Sequence, residues 1–425
     1  MSERLQRFRK LMAAFEGSSN PQHAIERGYY VDLPNNPMAG IARRVELRPS
    51  SVHLLLGGIG SGKTTQLLLA QEHLNQLEDF NAIYVDVSLH TDISELKQGS
   101  LVAIAGLEII KLLDKINDLE LDGDQEIIKA KTTIKKFAHG YREKREVDNP
   151  HYIGNLHKTS LLGDIHSPTR TEVFYDQGLL KKKEKKQSEL IKSFILLAKI
   201  VFQYRGEITF VFDGLDRLND TNIFINRILN DVNSLSESGI GVVIVGSILV
   251  AHIKEIENFA NYLYYFSYLD TSENIEAQRF FMNILNLRDS DNSITSEAKE
   301  FLVIFSGGVL RDLMSLTQSA IEEAYVDGSD DVKLEHAEQA IASLSRSKFM
   351  GLTDANLETL QKVISQKTFI PRTPEELELL LTGHILEYSR HPRKYFAVHP
   401  VLVPLIQGHW CSLIKGEKRY GVRLR

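Results

Sequence analysis

Gly57-Gly58-Ile59-Gly60-Ser61-Gly62-Lys63-Thr64 fits the phosphate-loop pattern G-x-x-x-x-G-K-[ST]. The chemistry accounts for the spelling. Glycines let the backbone curl so that successive N–H groups converge on phosphate oxygens. The N-terminus of a following helix adds the positive end of its dipole. Lys63 is placed to reach the β- and γ-phosphates, and the Thr64 hydroxyl to hold Mg²⁺. Contacts to a nucleotide are expected from Gly57 through Thr65. The flanks fit the motif: Val52–Leu56 reads as a strand and Thr65–Gln71 as a helix.

A second stretch, Ile208-Thr209-Phe210-Val211-Phe212-Asp213-Gly214-Leu215-Asp216, is an apolar strand ending in acid. Asp213 is the second candidate Mg²⁺ ligand, and Asp216 is placed to orient the attacking water or sense the metal. Gly241–Ser247 is another apolar strand, and Ser247 stands where a side chain could sense a γ-phosphate or cap the strand end. No Asn-Lys-x-Asp guanine-reading motif occurs, which favours ATP over GTP.

The elements that must position these residues follow from periodicity. A second strand is expected at 81–87 and helices at 100–116, 187–204 and 221–235. After Asp270 the pattern is helical: 273–286, 295–305, 309–325 and 334–344. Ser306-Gly307-Gly308 stops one of these helices, and Arg311 lies in the first turn of the next, where the helix dipole does not favour a cation. That placement makes Arg311 a candidate ligand residue. Helices at 356–364 and 374–381, then a hairpin of 385–388 and 395–398, read as a winged helix, with a last helix at 401–406. The expected domains are an N-terminal helical segment (1–50), a phosphate-loop domain (51–268), a helical lid (269–348) and a winged-helix-like region (349–425).

The chain has 425 residues, too many for one compact core, with 43% hydrophobic and 25% charged residues. Its net charge of −6 supplies no overall drive toward nucleic acid. The single cysteine, Cys411, permits no internal disulfide and suits a reducing cytoplasm. Neither a secretion signal nor a membrane span is expected. Residues 117–186 break the pattern. From Lys129 to Lys186 there are fourteen Lys or Arg against seven Asp or Glu, closing on Lys181-Lys182-Lys183-Glu184-Lys185-Lys186. They read as a surface insertion, either a solvated face or a contact for nucleic acid or a partner. His139, His151, His157 and His166 match no metal-site spacing.

The order of these motifs resembles the AAA+-related P-loop ATPases, and within them the signal-transducing switch class with NACHT and NB-ARC members. The residues that carry the resemblance are Gly57–Thr64, Phe212-Asp213-Gly214-Leu215-Asp216, Gly307-Gly308 with Arg311, and Val398-His399-Pro400. It implies a three-layer α/β/α core with a helical lid and a winged helix. It also implies an ATP/ADP-controlled switch acting on a protein effector or through self-oligomerisation, for example in bacterial defence. Lys63 would then contact phosphate, Thr64 and Asp213 would hold Mg²⁺, Arg311 would be the lid arginine, and His399 would touch the phosphates of ADP. Arg217 follows Asp216 where NACHT proteins commonly carry an acid, Ile248 follows Ser247 where many switch ATPases carry an arginine, and Pro400 replaces an acidic residue. Slow hydrolysis follows from the first two departures. A related branch, the initiator and transposition-regulator ATPases, shares the layout and binds DNA. A basic insertion and winged helix gripping duplex is the alternative function.

Overall fold

The structure is a computed structural model that describes residues 3–16, 21–34, 37–116, 123–139, 142–143, 174–175, 183–253, 256, 259–390 and 393–408. Most of the basic insertion, including its lysine run up to Lys182, and Cys411 lie outside the described residues.

Five strands form one parallel sheet: β1 (Val52–Gly57), β2 (Phe80–Asp86), β3 (Glu207–Asp213), β4 (Gly241–Gly246) and β5 (Tyr262–Phe266). Their spatial order is β2-β3-β4-β1-β5. Strands β1 and β4 are buried along their whole length, as continuous apolar runs require when helices cover both faces. On one face Leu55, Val211, Val243 and Val245 pack against α3 (Pro37–Leu47) and α4 (Lys63–Asn75) through Ile41, Val45, Leu67 and Leu74. On the other, α8 (Leu229–Glu237) and the π-helical turn Phe224–Ile228 before it pack on β4, with Phe224 and Leu56 closing over Gly246. The core is therefore the three-layer α/β/α unit expected.

Strand β5 was not expected. Its Tyr-Leu-Tyr-Tyr-Phe sequence has no alternation because it is an edge strand with Leu263 exposed and its tyrosines half-buried. It pairs in parallel with β1, from His53↔Tyr262 to Gly57↔Phe266.

The helices that follow are α9 (Ile275–Arg288), α10 (Ser296–Phe305), α11 (Leu310–Asp327) and α12 (Leu334–Phe349). Helices α13 (Asp354–Gln366) and α14 (Pro374–Leu381), the hairpin β6 (Ile385–Arg390) with β7 (Arg393–Val398), and the short α15 (Val403–Ile406) complete this region. A single apolar core runs through all of it. Phe281, Leu302, Leu313 and Ile341 from the first four helices join Leu360, Leu380, Ile385 and Val401 from the last elements. The N-terminal helix α1 (Glu3–Phe15), which the short α2 (Pro21–Glu26) follows, enters the same core through Phe8, Leu11 and Phe15. Arg4 donates to the terminal carbonyls of α11 at Ala324 (3.0 Å) and Tyr325 (2.9 Å), a favourable place for a cation. The boundaries expected at 50 and 348 thus fall within shared hydrophobic packing.

A second compact unit spans Lys97–Gly206. In it α5 (Ser100–Leu113), α6 (Gln125–His139) and α7 (Lys183–Arg205) pack on one another, with Ile134 of α6 against Gly106 of α5. The unit is wider than the expected insertion of 117–186. The stretch that reads as charged loop contains α6, whose Ile127, Ala130 and Ile134 form a buried stripe beneath lysines.

Candidate nucleotide site

Because the sheet is parallel, the C-terminal ends of β1, β3 and β4 open on one edge, where ligands bind in open α/β sheets. This brings Gly57, Asp213 and Ser247 to the same side. The loop after β1 turns through Gly60 at φ 85°, and Gly62, also left-handed, caps α4 without a side-chain hydrogen bond. The helix N-terminus is left without a side-chain cap, as anion binding requires. Gly58 is needed for a second reason: a Cβ there would collide with the Tyr268 ring. Ser61 Oγ is buried with no partner among protein atoms. A buried hydroxyl in a phosphate loop lacking a partner fits a site completed by a ligand oxygen.

Lys63 is buried. Its ammonium donates to Gly58 O (2.8 Å) and Gly57 O (3.2 Å) and pairs with Asp216 Oδ2 at 3.0 Å. These three partners use the three donors of the group. The carboxylate of Asp213 accepts from Gly214 N (2.8 Å) and from the Tyr84 hydroxyl (2.9 Å), with the Thr64 side chain close by. Burial pushes the Asp213 carboxyl upward, opposed by these donors, and nearby Asp216 adds to the rise. A divalent cation between Thr64 and Asp213 would relieve that penalty, so the donor set fits the Mg²⁺ expected here.

Beside the loop lies a cavity of about 380 Å³. Ser61, Gly62, Thr65 and Gln66 line it from the loop and α4, and Tyr29, Tyr30 and Leu33 line it from the segment before α3. Phe281, Ile284 and Arg288 of α9 close the far side. Arg288 lies 4.9 Å from the Tyr29 ring centroid, and burial brings its guanidinium down to about 10. The segment that precedes the phosphate loop thus forms one wall of this cavity.

The start of α11 sits directly on the loop. Leu310 N donates to Gly60 O (3.1 Å), and a Cβ at Gly60 would lie 3.2 Å from Arg311 Cβ. Arg311 is exposed beside the loop. Ser247 Oγ accepts from Leu249 N (3.3 Å), a strand-end cap that leaves its proton to donate. His399 is fully buried and meets Asp312 Oδ2 at 3.0 Å, while Val401 N approaches its Nδ1. Its imidazole faces the lid helix one residue beyond Arg311, with Lys348 completing the cluster 3.1 Å from Asp312. Burial dominates at Asp312 against ionisation, yet His399 and Lys348 hold its carboxyl at about 2. Burial brings His399 down to about 4, and burial with Arg44 and Arg48 nearby does the same to His53 in β1.

A stability prediction follows. Both histidines are neutral in the fold, and the unfolded chain takes up their protons below about 6.5. Stability is therefore full above pH 6.5 and falls as pH drops toward 4, by about 1.4 kcal/mol per pH unit for each group. Urea unfolding followed by circular dichroism between pH 7.5 and 4.5 measures this. His399→Gln is expected to remove roughly one proton from the slope, and an unchanged slope would contradict the burial assigned to His399.

Sequence reasoning missed Tyr268. Its hydroxyl donates to Ile59 O in the phosphate loop (2.9 Å), and its amide donates to Glu387 O in β6 (3.1 Å). Tyr388, beside it, donates to Gly307 O (2.8 Å). Tyr268, Val309, Leu386 and Tyr388 form a small apolar cluster of their own. Tyr265 bonds buried Glu387, which also pairs with Lys394 at 2.8 Å. The only local signal was an unusual density of tyrosines from 262 to 268.

The fold and this loop define the layout of a P-loop ATPase: a parallel α/β core followed by a helical region. The sequence matches no protein-family profile and no curated protein. Among solved structures it is similar to the Aeropyrum pernix ORC1 protein in complex with DNA (13% identity, TM-score 0.42, 90% of this chain and 95% of that one). It is also similar to the Aeropyrum pernix ORC2 protein in ADPNP–ADP complexes (11%, 0.41, 91% and 96%). A third is the Thermotoga maritima RuvB Holliday junction branch migration motor (13%, 0.40, 87% and 93%).

Proposed function

We propose that the chain is an ATP-binding, slowly hydrolysing ATPase in which nucleotide state sets how the helical region and C-terminal hairpin, moving as one body, dock on the phosphate loop. The observation that carries the reading is Tyr268, one residue bonded both to the loop and to the hairpin. The continuous core that joins α1 to α9 through α15 supports motion of that region as a unit. Lys63 and the amides at the start of α4 would bind the phosphates, and Thr64 and Asp213 would hold Mg²⁺, which supplies charge neutralisation on the phosphate oxygens. Hydrolysis is attack by water on the γ-phosphate, giving ADP and phosphate. Lys63 can engage phosphate only by exchanging a present partner, and exchange of Asp216 frees that carboxylate to orient the water. A switch requires that each state hold nucleotide with a different set of contacts, and this exchange of Lys63 partners would supply one such difference. The output is a partner protein or a second copy of the chain.

The alternative reading, a DNA-binding ATPase of initiator type, rests on the helix–helix–hairpin order of 354–398. In a winged helix α14 would enter the major groove. It exposes Glu375 and Glu378 and contains no basic residue, which favours the protein-directed reading.

Hydrogen exchange of residues 385–398, measured with no nucleotide, ADP and a non-hydrolysable ATP analogue, tests the proposal. Protection is expected to change with nucleotide, and Tyr268→Phe is expected to abolish the difference while ATP still binds. Identical exchange in all three states would sink it. Particle mass and ATPase rate with and without duplex DNA separate the readings: sub-micromolar, salt-steep binding with stimulated turnover would promote the DNA reading.

A further inference from the structure

Gln66 is on the first turns of α4, buried, and lines the cavity beside the phosphate loop. Its Oε1 is buried with no hydrogen-bond partner among protein atoms. Its Nε2 donates to the Tyr30 hydroxyl oxygen at 3.4 Å. Asp32 and the Leu33 backbone also stand close to the Tyr30 hydroxyl, and burial pushes its phenol upward. With the Asp32 carboxylate nearby to take its proton, the Tyr30 hydroxyl offers Gln66 its oxygen. The amide is therefore held with Nε2 toward Tyr30 and Oε1 as the unmatched acceptor.

An unmatched buried acceptor in a ligand cavity calls for a donor on the ligand. The pairing of a carboxamide with adenine supplies one: Oε1 accepts from the exocyclic N6 amine while the second Nε2 proton goes to a ring nitrogen acceptor. Guanine and hypoxanthine present a carbonyl oxygen at the same position, acceptor against acceptor. Leu33, Phe281, Ile284 and Leu310 give the cavity apolar walls suited to the faces of a purine. We propose that Gln66, oriented by Tyr30, reads the base edge of the nucleotide and makes the site selective for adenine. The inference rests on the nucleotide-binding reading above and goes beyond it by naming the residues that choose the base.

Calorimetry with ATP, ITP and GTP tests this, because ITP keeps the purine frame of ATP but carries the C6 oxygen in place of the amine and a proton on N1. ATP is expected to bind at least tenfold more tightly than ITP or GTP. Gln66→Leu is expected to weaken ATP about tenfold and bring the ATP/ITP ratio near one. Tyr30→Phe, which frees the amide to turn over, is expected to tighten ITP and so to lower the ATP/ITP affinity ratio severalfold. Circular dichroism checks that both variants fold, and Tyr30→Phe keeps the test open if Gln66→Leu does not. Equal wild-type affinities for ATP and ITP, or a ratio unchanged in both variants, would overturn the inference while leaving nucleotide binding intact. Failure of the wild type to bind any of the three overturns the nucleotide reading, and this inference with it.

Discussion

Lys63→Ala is expected to raise the Kd for ATP by about two to three orders of magnitude. Its ammonium is the cation buried within the phosphate loop, and loss of a charge-assisted contact to a phosphate costs about 2–5 kcal/mol. The substitution has a second effect that must be separated from the first. It strips Asp216 of its partner, and Asp216 is mostly buried. Breaking such a pair destabilises the fold, by less than the roughly 3–5 kcal/mol of a fully buried pair because the carboxylate retains some water. Lys63→Ala with Asp216→Ala is therefore expected to recover much of the lost stability and none of the lost affinity. Calorimetry with ATP, alongside thermal denaturation, reads both quantities. An affinity unchanged in Lys63→Ala would remove the phosphate loop from the binding site.

Asp213→Asn is expected to abolish Mg²⁺-dependent turnover, a fall of about a hundredfold or more, with the fold intact. The side chains are nearly isosteric, and Oδ1 keeps its bond from Gly214 N. Tyr84 must turn its hydroxyl to accept from the new amide, which a hydroxyl does at little cost. Burial already opposes the charge of Asp213, so neutralising it should leave thermal stability equal or higher. The dependence of ATP affinity on Mg²⁺ should weaken in parallel, which gives a readout even where wild-type turnover is slow. Wild-type turnover in the variant would move the metal role to another residue.

The parts of the site legible in the sequence are those whose chemistry is local. A phosphate loop draws its glycines, Lys63 and Thr64 from eight consecutive residues between a strand and a helix. Asp213 announces itself as the acid ending an apolar strand. In both cases the backbone spacing alone sets which groups meet. The parallel α/β core and the helical region were legible for a related reason: burial on two faces or along one stripe leaves a period in the sequence. Edge strand β5 has one side-chain row half in water and leaves no such period. The lysines of α6 masked a buried stripe of only three residues.

What tertiary structure alone decided is which distant segments share a surface. Tyr268 reaches Ile59 across 209 positions, Gln66 reaches Tyr30 across 36, and His399 reaches Asp312 across 87. None of these pairings has a sequence period, because each depends on how a sheet edge, a lid helix and a hairpin are brought together by one continuous core. Sequence by itself determined that this chain carries the phosphate-loop pattern and, on a separate apolar strand, the acid proposed to hold the metal. The fold decided that the loop is bonded through Tyr268 to the C-terminal hairpin, that Asp216 rests on Lys63, and that His399 faces the lid. Burial made those choices: each polar group taken out of water had to find its partner among whatever the packing placed nearby.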